Sequence, residues 1–106
     1  MTGNKELASY IMEQLAELGE IRNIPMMGGY IFYYKDRIFG GIYESGFMVK
    51  NTKASREYLT ESEPMPPYDG AKSMLPVTNL EDREQLQAMV REMYEELPER
   101  KPGNKK

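Results

Sequence analysis

The sequence predicts a two-layer α+β domain, an antiparallel sheet of about four strands packed by N- and C-terminal helices. Three observations carry this. Apolar residues recur at helical spacing near both ends, and short aromatic and β-branched runs joined by turns fill the middle. The length of 106 residues suits one domain. Such a chain buries roughly 65% of its unfolded surface, enough for a core without a metal or disulfide staple. Its 40% hydrophobic and 29% charged residues are those of a globular protein.

Leu7, Ile11, Leu15 and Leu18 recur at steps of four, four and three, which sets them on one helix face. Asn4 stands as its N-cap, Glu6 suits the positive end of the dipole, and Gly19 ends it. Ile21 to Met27 reads as a connection, because Pro25 breaks any helix. Gly28-Gly29-Tyr30-Ile31-Phe32-Tyr33-Tyr34 has strand chemistry, and Lys35-Asp36-Arg37 reads as a turn. Ile38-Phe39-Gly40-Gly41-Ile42-Tyr43 is a second strand. Glu44-Ser45-Gly46 is a turn with glycine where positive φ is needed, and Phe47-Met48-Val49-Lys50 is a third strand. Short turns between three strands make an antiparallel meander.

Asn51 or Thr52 caps a short helix through Lys53–Thr60, with Ala54, Tyr58 and Leu59 inside. Prolines at 64, 66 and 67 make residues 63–70 an extended loop. Ser73-Met74-Leu75-Pro76-Val77 is a fourth strand, and Pro76 confines it to an edge or a strand end. Asp82 with Gln85, and Thr78 with Glu81 one turn earlier, stand at capping-box spacing before the last helix. Leu86, Met89, Val90, Met93 and Leu97 form its stripe, and Pro98 stops it. The order is α-β-β-β-α-β-α. Residues 1–98 form the domain and 99–106 a disordered basic tail.

The chain has no cysteine and no histidine, which removes disulfides, thiolate chemistry, histidine bases and the usual zinc ligand sets. The reading is a protein without catalytic residues, cofactor or metal. Net charge is −3; without the tail, 10 basic and 16 acidic residues leave about −6. A general nucleic-acid binder shows a basic face instead. The N-terminus has no apolar signal region, and no run approaches the ~20 residues that span a bilayer. A cytoplasmic protein with no membrane contact is expected.

Several features mark a candidate interaction surface. Tyr30, Tyr33, Tyr34 and Tyr43 are dense in the first hairpin. Period two places Tyr30, Phe32 and Tyr34 on one face, Ile31 and Tyr33 on the other. An exposed aromatic row anchors a partner or stacks bases; the simpler reading is cross-strand packing. Gly40 and Gly41 leave a gap on each face of a strand, read as a groove or, more simply, as a bulge or a space covered by a large neighbour. Gly28-Gly29 matches no phosphate-binding loop and reads as a bend. Lys50, Lys53 and Arg56 form a basic patch for an acidic partner or nucleic acid, or simply a solvated helix face. Met26, Met27, Met65 and Met74 suit an adaptable surface. Paired acids such as Glu61 with Glu63 read as solvated surface.

The run Pro25-Met26-Met27-Gly28-Gly29-Tyr30-Ile31-Phe32-Tyr33 resembles the Met-Phe-Gly-Gly-Tyr segment of the TfoX N-terminal domain family. Leu15-Ala16-Glu17-Leu18-Gly19 before it, Arg37-Ile38-Phe39, Phe47-Met48-Val49-Lys50, Ser73–Val77 and the closing Leu80-Glu81-Asp82 helix are similar in order and spacing. The resemblance spans about residues 5–97. It departs at Met27 for a usual Phe, at Lys35-Asp36 for a common Asp-Gly turn, at Gly40-Gly41, and at Pro76. The changed turn implies a longer or different hairpin connection. The family is linked to regulation of natural competence, and its longer members add a helix-hairpin-helix type domain. Here only a charged tail follows Leu97, so the resemblance implies the fold more than the competence role. The expectation is a non-catalytic regulatory module acting through a protein partner or self-association, by the open sheet face or the edge strand Ser73–Val77. The alternative is nucleic-acid binding through Lys50, Lys53, Arg56 and the tail, and an enzyme ranks last.

Overall fold

A computed structural model describes residues 4–26, 28–44 and 46–97. Its elements are α1 (Asn4–Gln14), β1 (Ile21–Met26), β2 (Gly29–Tyr34), β3 (Arg37–Tyr43), β4 (Gly46–Lys50), α2 (Lys53–Tyr58), β5 (Met74–Pro76) and α3 (Arg83–Met93). A short 3₁₀ turn follows α1 and another follows α3. The strands form one antiparallel sheet in the order β1-β2-β3-β4-β5. The α+β class therefore stands, with one strand more than expected. The tail and Pro98 lie outside the described residues.

The added strand is β1, which the sequence reading took for a connection. Proline bars a helix but not an edge strand. The Lys35 amide donates to the Glu20 carbonyl, which fixes the ladder phase, and Pro25 then falls at a position facing away from β2. No donor is missing from the ladder. Lys35 and Asp36, both at positive φ (50° and 69°), close β2 to β3 as a two-residue turn. That is the type I′ requirement, met without glycine, so the connection is no longer than the common one. Asn4 is the first described residue of α1 rather than its cap, and its amide donates to the Gly28 carbonyl, 2.8 Å.

All three helices lie on one sheet face. Ile11, Leu15, Leu86, Met89, Val90 and Met93 meet Phe32, Phe39, Phe47 and Val49 in a sealed core. Phe32, Phe39 and Phe47 form a three-ring cluster with centroids 5.6 to 6.5 Å apart. Phe39 reaches it through a bulge: Phe32 pairs with Gly40 and Tyr33 with Ile38, so Phe39 is the extra residue. Two buried glutamines tie α1 to α3. Gln14 donates to the Leu80 carbonyl and Gln87 to the Gln14 carbonyl, both 2.7 Å.

Helix α2 is held at its start from two sides. Thr52 accepts from the Ser55 amide and the Ser55 hydroxyl accepts from the Thr52 amide, a reciprocal cap. Glu96 supplies both carboxylate oxygens to the amides of Lys53 and Ala54, at 2.9 and 3.1 Å. At α3, Asp82 accepts from the Gln85 amide, as its spacing predicts.

Candidate functional site

Among the described residues no helix lies on the other sheet face. Cross-strand register lines up Ile24, Ile31, Gly41, Met48 and Pro76 in one row, with Arg22, Tyr33 and Ile38 in the next. Apart from Arg22 the rows are apolar, yet they differ in cover. Near β4 and β5 the proline-rich loop folds back. Met65 and Met74 exchange two backbone hydrogen bonds, Pro67 is buried, and Met48 is sealed off from solvent. Across β1, β2 and β3, Ile24, Ile31, Tyr33 and Ile38 stay half-buried. Their environment is a sheet face that nothing in the described chain covers.

The β5 edge is closed to a further strand, and the β1 edge is interrupted at two of its outward amides. At β5 the outward amide and carbonyl of Met74 are taken by Met65, and the Pro76 carbonyl accepts from the Ser62 hydroxyl. At β1 the Ile21 amide turns to the Gly19 carbonyl, and Pro25 has no amide to offer. The expectation that Ser73–Val77 is a free docking edge is thus corrected. The loop between α2 and β5 returns and occupies the groups that such docking needs.

A groove of about 620 Å³ opens on the uncovered face beside the β1–β2 turn. Gly29 and Ile31 lie along it, with Met26 on the β1 side and Pro67 and Tyr68 on the loop side. A side chain at Gly29 would collide with the Ile42 carbonyl, so the backbone itself forms part of the wall. Tyr43 and Tyr68 stand as a tilted pair, centroids 6.1 Å apart at 49°. Tyr68 is 63% exposed and Met26 46%, high for residues so apolar. Glu44 lies at the rim. Burial, and next the neighbouring Tyr68, push the Tyr43 phenol above its ordinary value.

The structure separates the residues singled out in the sequence. Tyr33 and Tyr43 lie on the uncovered face, and the Arg22 guanidinium stacks on the Tyr33 ring 4.4 Å from its centroid. Tyr34, 4% exposed, packs edge-on against Tyr94 in the core, and Tyr30 packs partly against that core. Gly40 lies on the core face against Val49. Gly41 faces outward, but the Tyr43 ring folds over it with the hydroxyl 2.9 Å from where a Cβ would stand. The gap is filled by a large neighbour, Tyr43 rather than Tyr30 or Phe32. Lys50, Lys53 and Arg56 sit around the start of α2. There the Arg56 guanidinium donates to Asn51 and the Glu96 carboxylate lies against the helix amides. Lys53 and Arg56 belong to α2, whereas strand alternation puts Lys50 on the same sheet face as Met48.

Sequence reasoning missed Met26, Glu44, Pro67 and Tyr68 as neighbours. Only the exposed methionines and the proline run hinted at them. Among the described residues no group of three or more acidic side chains gathers to hold a metal ion. No helix among them is long and apolar enough to cross a membrane.

The chain is similar to an uncharacterised 12.7 kDa protein from the trpE 5′ region of Spirochaeta aurantia. The two are 26% identical over 107 residues, covering 100% of this chain and 93% of the relative. No solved structure matches the chain. The TfoX N-terminal domain model matches residues 13–97, from the second half of α1 to the end of the turn after α3. With that match over most of its length and the α+β sheet it accompanies, the chain belongs to the TfoX N-terminal domain family.

Proposed function

We propose that the protein is a non-catalytic regulatory module that works by binding another protein through the uncovered face of β1, β2 and β3. One observation carries the reading: Ile24, Ile31, Tyr33 and Ile38 form an apolar sheet face with no helix over it among the described residues. Helices and loop cover the rest of the described sheet, and its β5 edge is closed. A face of this kind binds by side-chain contact, with an aromatic such as Tyr33 as anchor. The family supports the regulatory part, since it is a regulatory rather than a catalytic type of domain and no enzymatic family is indicated. Its link to DNA competence makes that process the first to examine. The absence of histidine and cysteine fits a role without catalysis.

The test is recovery of the tagged protein from its own cells, with and without nuclease, followed by mass spectrometry. The reading expects a stoichiometric protein that survives nuclease and is lost from an Ile38→Glu variant that stays folded. A mass of two subunits at micromolar concentration would make the partner a second copy. Recovery of nucleic acid alone, released at high salt, would replace the reading with nucleic-acid binding.

A further inference from the structure

We propose that the groove beside the β1–β2 turn is a binding site for a small organic cation, an ammonium head carried on an apolar body. Its volume of about 620 Å³ is that of a small-molecule site. Ile31, Met26 and Pro67 give it apolar walls, and the tilted rings of Tyr43 and Tyr68 give it π faces. Among the described residues that line it, Glu44 alone carries a full charge, and the charge is negative; Lys5 lines the pocket adjoining it. A phosphate, carboxylate or nucleotide would leave water for a carboxylate and electron-rich rings, with no opposite charge among the groove's own described lining residues. A cation gains from both features: the ring quadrupoles attract it, and Glu44 supplies the counter-charge. The overall charge of −3 favours cation approach. An extended peptide is a poorer occupant, because a groove on a sheet face offers its backbone no ladder. The groove shares Ile31 with the partner-binding face, yet each reading can fail without the other.

The experiment titrates the isotope-labelled full chain with phenethylammonium, with 2-phenylethanol as its neutral counterpart and phenylacetate as its anionic one, following backbone amides by NMR. Saturable shifts are expected at Ile31, Tyr43, Glu44 and Tyr68 with the ammonium, about fivefold weaker binding of the alcohol, and none of phenylacetate. Glu44→Gln, a change at an exposed turn residue, should weaken the ammonium about fivefold and leave the alcohol unchanged. Equal affinity for ammonium and alcohol, shifts confined to other surfaces, or no saturable shift would overturn the proposal. A nuclease-resistant protein partner recovered beside a failed titration would leave the interaction module standing without this site.

Discussion

At the scale of single residues, Gly41 shows how little room the uncovered face leaves beneath its tyrosine. A methyl there would stand 2.5 Å from the Tyr30 carbonyl oxygen as well as against the Tyr43 ring. The first neighbour is backbone and cannot swing aside. Gly41→Ala should therefore cost about 1–3 kcal/mol, seen as a lower urea midpoint, and an unchanged midpoint would refute the crowding. The two glycines were visible in the sequence as gaps in a strand. Which gap faced which side was not, because the bulge at Phe39 sets the phase of β3 and local alternation does not record it. In β2 nothing interrupts the alternation, and there the sequence separated Phe32 and Tyr34 from Ile31 and Tyr33 correctly.

At the scale of elements, α2 has six residues, too few for a helix to hold itself in water. Its stability comes from its ends. Thr52 and Ser55 are three residues apart, and the sequence placed that cap by local chemistry. Glu96 lies 43 residues from Lys53, and no local pattern points to it. Glu96→Ala removes acceptors from two first-turn amides and a negative charge from the positive end of the helix. The expected cost is about 1–2 kcal/mol, with faster hydrogen exchange at the Lys53 and Ala54 amides. Normal protection at those amides would show that the cap contributes nothing. Strand β1 escaped the sequence reading for a related reason. Its residues are half-buried or exposed without alternation, so it has no period-two signature, and its proline reads as a break until an edge position makes it harmless.

At the scale of the whole molecule, two tyrosines tie stability to alkaline pH. Tyr58 holds its proton more tightly chiefly through its hydrogen bond to Glu92, and Tyr43 does so chiefly through burial. Both pKa values are raised by folding from the ordinary 10.0, so the native state binds these protons better than the unfolded chain does. Their contribution is complete below the ordinary value and is lost as pH rises through the raised ones. The urea midpoint should fall above about pH 10, and Tyr58→Phe should flatten that fall. An identical slope in the variant would exclude Tyr58 as a source. The helical layer and most of the sheet were legible from periodicity. The groove was not, because it forms only when residues 65–68 return across β4 and β5, a closure fixed by one backbone bridge between Met65 and Met74.

The margins of the sheet also bear on how the protein behaves when crowded. Growth of ordered aggregates needs a strand whose outward amides and carbonyls accept the next chain in register. Here a returning loop occupies that template on one side, and a proline interrupts it on the other. Fibrils and strand-exchanged oligomers growing from β5 would have to begin with release of the Met65 bridge, so concentrated native protein should resist polymerisation from that side even though its uncovered face is apolar.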